Sequence, residues 1–319
     1  MRLATYLPAG APQVGRSFDL DGYGRAAAVV DLDGTERLVD LALAAAAHGR
    51  DLPTRLLDVI TLGPAAIELA RTVASAPPEP ALVDGEPRLL APIPAPPSLR
   101  DFFAFEAHVA TGFAKRNEPI PAPWYEIPVY YKGNQRSIIG PGETIPWPAW
   151  TDELDYELEL AMVVGVRGRD LDLAAAERAI VGYTLMNDVS ARDLQRREMQ
   201  VRLGPSKSKD FATVLGPVLV TPDEVDLATM RVTARIGDEL VTDTDIASMR
   251  WSFAEMIEYV SRDEDVFPGD VYGSGTVARG CGLEHGRMVR GGEVVTLTAD
   301  GIGSLSNPVA AREPGTDEG

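Results

Sequence analysis

Polar and hydrophobic positions alternate over residues 153–165, ELDYELELAMVVG. Glu153, Asp155, Glu157 and Glu159 share one parity, and Leu154, Tyr156, Leu158 and Leu160 the other. A period of two marks a β-strand, whose successive side chains point to opposite faces. One face is apolar. The other carries up to four carboxylates and then continues as Ala161 and Val163, as if entering an interior. Neighbouring carboxylates repel, and burial strengthens the repulsion. The row is either an exposed edge whose charges discourage aggregation or a face that binds a cation.

The same patterning organises the rest of the chain. The opening, MRLATYLPAG to GRAAAVVDLDGTERLVDL, predicts short strands joined by Asp-Gly turns. Residues 41–76 are Ala/Leu-rich and broken at Gly49, Pro53 and Pro64, which predicts two or three short helices, with His48 at a helix C-terminus. LLAPIPAPPSLRD can continue neither a helix nor a central strand, so a boundary is set near residue 93. Beyond it, IPVYYKG, LDYELELAMVVGV, TVLGPVLVT, RVTARIGDEL, DVYGSGTV and EVVTLTAD predict strands. Helices are fewer: one after Asp172, one starting at Asn187-Asp188 and one after Ser252. This is a β-rich α+β pattern with a frayed acidic tail.

Composition narrows the function. The chain has 319 residues, 30 Lys plus Arg against 48 Asp plus Glu, and a formal charge of −18. That balance argues against nucleic acid or an anionic membrane surface as partner. One cysteine, Cys281, allows no intrachain disulfide. The N-terminus carries no apolar signal segment and no run is long enough to span a membrane, so a cytoplasmic location is expected. Dinucleotide, P-loop, HExxH and GxSxG motifs are missing. Three histidines and one cysteine do not make an ordinary zinc site. What the chain offers is hard oxygen, which selects magnesium, calcium or manganese.

Four stretches gather that chemistry. LDYELELA holds Glu157 and Glu159 on one strand face. NDVSARDLQ places Asp188, Arg192 and Gln195 around a predicted helix start. LRDFFAFEAH sets Asp101 and His108 among Phe102, Phe103 and Phe105. GSGTVARGCGLEHG is a Gly-rich loop ending in Glu284. Taken singly, each has an ordinary explanation: a charged edge, an N-cap, a histidine beside a core, a turn.

Taken together, and with KDFAT and PVYYKG, they resemble the fumarylacetoacetate hydrolase family over roughly residues 95–310. The resemblance implies a small N-terminal α/β domain over residues 1–93, a mixed β-roll catalytic domain over 94–319, and a homodimer. It implies a magnesium ion, or calcium or manganese, on Asp101, Glu157, Glu159 and Asp188, with Lys209 and Thr213 beside them. Glu153 and Asp155 are then expected nearer solvent. His108 is the implied base that activates water, oriented by Glu284. Lys209, Arg192 and Gln195 are the implied oxyanion donors. Phe103, Tyr131, Met199 and Thr276 are the implied substrate contacts.

The implied activity is hydrolysis of a carbon–carbon bond in a 1,3-diketo or acylpyruvate-type 2-oxo acid, in catabolism of aromatic or related compounds. Decarboxylation, hydration and tautomerisation on the same metal platform are the alternatives, and a non-catalytic binding protein of the same fold is another. Family members that cleave fumarylacetoacetate carry tyrosines where this chain has Phe103 and Met199. Losing two hydroxyls from a pocket disfavours a polar substrate strongly, which points to a more apolar 2-oxo acid.

Overall fold

The computed structural model of the chain describes residues 1–312. The acidic tail lies outside them, apart from Arg312. An 11-stranded mixed sheet forms the frame. Nine of its strands run in the order Thr35–Asp40, Arg25–Leu32, Arg2–Tyr6, Thr213–Val220, Ile180–Asn187, Leu158–Val164, Val271–Gly273, Leu99–Phe102, Tyr130–Lys132, and Leu89–Leu90 and Ile138–Ile139 pair beside Arg2–Tyr6 and Thr213–Val220. A four-stranded sheet, Glu239–Asp245, Arg231–Ile236, Val294–Ala299 and Gly303–Pro308, stands apart from it in the strand pairing. The fold is α+β, as the patterning predicts. The sheet crosses the proline-rich stretch around residue 93, because Arg2 and Leu3 pair with Val220 and Leu219.

Three short helices, Leu41–Ala47, Leu56–Thr61 and Pro64–Ser75, fill residues 41–76, with His48 as an exposed C-cap. Asp172 caps Leu173–Arg178 by accepting from the Ala175 N–H at 2.7 Å, and Ser252 opens Phe253–Ser261 with a capping box.

One expectation is corrected. The helix predicted from Asn187-Asp188 begins only at Arg192. Asn187 still belongs to the long strand, and Ser190–Ala191 pairs with Leu154–Asp155 before the helix starts. Asp188 is therefore no N-cap: it sits between two strands and is fully buried.

The acid row divides into two strands, Leu154–Asp155 and Leu158–Val164. Every residue of the second is buried. Leu158, Leu160, Met162 and Val164 pack into one core, and Ala161 and Val163 into the other. Glu159 shares the parity of Ala161 and Val163, so its face does run into an interior. This is the central pairing of the sheet, with Met186 opposite Glu159 and Asn187 opposite Leu158. A charged edge strand is excluded.

Candidate active site

Three strands and the turn after one of them bring the carboxylates together. Asp101 comes from Leu99–Phe102, Glu159 from Leu158–Val164, and Asp188 follows Ile180–Asn187. One carboxylate oxygen from each lies within 4.8 Å of the others, and all three residues are buried. Gly273, on the neighbouring strand, is what lets them meet. A Cβ there would sit 2.5 Å from Asp101 Oδ1 and 2.8 Å from Glu159 Oε2. Hydrogen bonding satisfies the group only in part. The Gly275 N–H donates to Asp101 at 3.2 Å, Thr276 Oγ1 to Glu159 Oε1 at 3.3 Å, and Tyr131 Oη to Asp188 at 2.8 Å. Glu159 Oε2 is buried with no partner among the described residues.

Burial first, and then the neighbouring carboxylates, push Asp101 and Glu159 well above the usual carboxylate range. Asp188 is raised by burial too, although Lys209 pulls it back. Three buried acids that resist ionisation, one with an orphaned oxygen, are what a divalent-cation site looks like before its ion is counted. All-oxygen donors fit magnesium, calcium or manganese.

Glu157 belongs to a different group. It accepts from Lys209 Nζ at 2.6 Å and forms an ion pair with Arg192, whose Nη1 lies 2.6 Å away. Although burial opposes ionisation, these two cations hold it far below the usual carboxylate range. Lys209 also bonds Asp188 and so bridges the two groups. Asp155 is fully buried, not nearer solvent as the resemblance implies. It takes Arg192 Nε at 2.8 Å and caps the short Gly282–His285 helix through the Gly282 and Leu283 N–H groups at 2.8 and 3.0 Å. Only Glu153 faces solvent, paired with Arg196.

The capped helix carries Glu284. His108, on the Glu106–Ala114 helix, sets its Nδ1 3.2 Å from Glu284 Oε2. A contact to a carboxylate needs a proton on Nδ1, and in the neutral imidazole that leaves Nε2 as the acceptor. Phe103 lies edge-on to the imidazole at 5.5 Å between centroids. Cys281 stands next to both, its Sγ 3.5 Å from Glu284 Oε2 and 4.0 Å from His108 Nδ1. Cys281 also bridges Glu157 through the backbone, which ties this dyad to the carboxylates.

The remaining predicted residues divide by position. Gln195 is half-buried and accepts from Arg192 Nη1 at 3.0 Å. Thr213 is buried at the start of its strand. Tyr131 is half-buried beside Asp188. Met199 is 39% exposed, and seven residues of helix place it roughly 10 Å along the axis from Arg192. Neither Asp155 nor Cys281 stands out in the sequence as a member of the site. For Asp155 the signal is there, since it occupies the parity of Glu157 and Glu159. A cavity of about 530 Å³ elsewhere, lined by residues such as Arg2, Glu36 and Arg37, has none of this chemistry.

The model of the fumarylacetoacetate (FAA) hydrolase C-terminal domain matches residues 99–310. The chain belongs to that family. It is 30% identical to a mitochondrial oxaloacetate tautomerase of Xenopus laevis, over 82% of this chain and 81% of that one. It is 33% identical to an oxaloacetate tautomerase of Bacillus subtilis, over 58% of this chain and 62% of the relative. Among solved structures it resembles a fumarylacetoacetate hydrolase from Exiguobacterium antarcticum, with TM-score 0.72 and 28% identity, covering 98% of this chain and all of that one. No helix among the described residues is long and apolar enough to cross a membrane.

Proposed function

We propose that this family member is a divalent-metal-dependent enzyme that interconverts the enol and keto forms of a small 2-oxo acid of the oxaloacetate class, a more polar substrate than Phe103 and Met199 imply, Met199 being 39% exposed. The observation that carries the reading is a proton-holding His–Glu pair beside a hard-cation site. Tautomerisation needs those two elements and no third reactant. The Xenopus and Bacillus relatives, both named oxaloacetate tautomerases, support it.

Asp101, Glu159 and Asp188 would hold the ion. When bound, a divalent cation supplies a Lewis acid that polarises the 2-oxo carbonyl and favours its enolate. The chain's own part is proton movement. Glu284 fixes the Nδ1 proton, so His108 Nε2 takes a proton from the enol hydroxyl or from carbon 3 and returns it to the other atom. Glu284 stabilises the imidazolium between the two transfers. Phe103 gives the ring an apolar neighbour and limits exchange with water.

The second reading is hydrolysis of an acylpyruvate, in which His108 takes its proton from water instead. The likeness to the Exiguobacterium hydrolase supports it. Proton NMR separates the two, with enol oxaloacetate and an acylpyruvate each followed with magnesium and with EDTA. Tautomerisation gives magnesium-dependent loss of the enol signal with no new carboxylate, and hydrolysis gives two product acids. His108→Ala should lower kcat by about 10²–10⁴-fold, the range for losing a general base. A variant at the wild-type rate removes His108 from either scheme. The homodimer implied by the resemblance is part of this proposal, and light scattering checks it.

A further inference from the structure

We propose that His108, Cys281 and Glu284 form a second metal site, selective for thiophilic ions such as zinc, whose occupation switches off the His108 base. The switching half rests on the proton-transfer role given to His108 above; the binding half does not.

The geometry comes first. Zinc bonds nitrogen and oxygen at about 2.0–2.1 Å and sulfur at about 2.3 Å in a tetrahedron. Those lengths put a nitrogen and an oxygen ligand roughly 3.3 Å apart, and sulfur roughly 3.6 Å from either. Here Nδ1 and Oε2 are 3.2 Å apart, Sγ and Oε2 3.5 Å, and Sγ and Nδ1 4.0 Å. An ion fits after movements of a few tenths of an ångström. Cys281 and Glu284 are held in place by the Asp155 cap on the Gly282–His285 helix. His108 rides on the Glu106–Ala114 helix, and Lys115 at the end of that helix bonds the Leu283 carbonyl. Three protein ligands leave the fourth position for water.

The donor set decides which ion binds. One sulfur, one nitrogen and one oxygen suit zinc or cobalt, whereas the triad of Asp101, Glu159 and Asp188 offers oxygen only. The chain therefore carries a hard site and a softer one, and the Glu157–Cys281 bridge sets Cys281 beside the segment that leads to Glu159. Without an ion, burial keeps the Cys281 thiol protonated. Binding releases the thiol proton to solvent and leaves thiolate, carboxylate and dication neutral in sum. The imidazole is neutral as well. With Nδ1 on the ion its proton resides on Nε2, and the ring no longer accepts one.

Cobalt(II), added to magnesium-saturated protein, tests the site. A thiolate-to-cobalt charge-transfer band with tetrahedral ligand-field bands is expected, bleached by one equivalent of zinc and missing in Cys281→Ser and Cys281→Ala. Both variants should keep the magnesium-induced rise in Tm, which reads an intact triad and hence folding. In the tautomerase assay zinc should inhibit the wild type despite excess magnesium. The Cys281 variants should need well over tenfold more zinc, since losing even an outer-shell partner costs about 10–100-fold in metal affinity. No thiolate band, or a band that survives in the variants, overturns the site whatever reaction the enzyme runs. A cobalt band without zinc inhibition overturns the switch. Failure of every 2-oxo acid to react leaves the cobalt result standing and counts against the proposed function alone.

Discussion

Asp155 and Glu157 are carboxylic acids like Glu159 and stand four and two residues before it on the same parity, yet the two ends of the row solve opposite problems. The first two are matched: Arg192 and Lys209 reach them directly. Glu159 meets Asp101 and Asp188 instead of a cation, and among the described residues one of its oxygens has no nitrogen or hydroxyl donor. Both ends are buried, so burial is not the difference. The difference is whether the protein supplies the counter-charge itself or, in the proposed function, leaves that to an ion. A chain that can pair two acids on a strand, and leaves the next unpaired, has kept a charge deficit at one place.

The largest effect should come from breaking the matched end. Arg192→Met leaves Asp155 and Glu157 without a common partner in the interior. Removing one member of a buried pair costs about 3–5 kcal/mol, and here the short helix bearing Glu284 should loosen as well. Asp101→Asn, in metal-free protein, should hold stability or raise it, because it removes an unbalanced charge. Urea denaturation in EDTA measures both. Equal losses for the two variants would erase the distinction between the ends.

Most of this is legible in the sequence as pattern and little of it as pairing. The period of two marks the strand and its two faces, and the family resemblance carried by DFFAFEAH, NDVSARDLQ and GLE implies which residues share a site. What the spacing cannot supply is which acid meets which cation. Arg192 and Asp155 are 37 positions apart, and Lys209 and Glu157 are 52, so those contacts exist only once the sheet is assembled. Local preference misplaces the helix start for a related reason. Asn187-Asp188 has N-cap chemistry, but strand pairing of Asn187 with Leu158 holds the backbone extended, and tertiary structure overrides it.

Supplying the missing charge comes next in size. A divalent ion that binds the native state alone stabilises it by about 2.7 kcal/mol at a hundred times its Kd. Glu159→Gln should abolish that gain. Glu157→Gln should diminish it less, because Lys209 and Arg192 already occupy that carboxylate. Calorimetric titration with magnesium ranks the two, and equal losses would return Glu157 to the ligand set.

The sign of the pH dependence follows from the raised acids. Burial and mutual repulsion lift Asp101 and Glu159 in the folded state, so folding favours their protonated forms. That contribution is complete below the unfolded carboxylate range of about 4 and is lost as pH rises through the raised folded values. A carboxylate that holds its proton tenfold more tightly when folded contributes about 1.4 kcal/mol in this way. Metal-free protein should therefore lose stability from mildly acidic to neutral pH. Asp101→Asn should flatten the slope, and saturating magnesium, which binds the ionised forms, should flatten or reverse it. Urea midpoints across that range decide it. A slope unmoved by both the ion and Asp101→Asn would place its origin outside the triad.

The smallest effect is expected at the end of the row that reaches solvent. Glu153 sits two residues before Asp155 on the same parity, and its carboxylate meets Arg196 through two contacts of 2.7 Å. By geometry this is as good a pair as Arg192 makes. Its side chain is 43% exposed and that of Arg196 56%, so water and salt screen the attraction. Arg196 lowers the Glu153 pKa only within that screening. An exposed pair is worth about 0.2–1 kcal/mol, and Glu153→Gln should cost no more, with magnesium affinity unchanged. Set beside Arg192→Met, it shows whether contact geometry or burial governs the energy of the row. A Glu153→Gln loss of several kcal/mol, read by the same urea titration, would mean that the outer strand Leu154–Asp155 depends on this pair for its pairing with Ser190–Ala191, and that the row acts as one unit along its whole length.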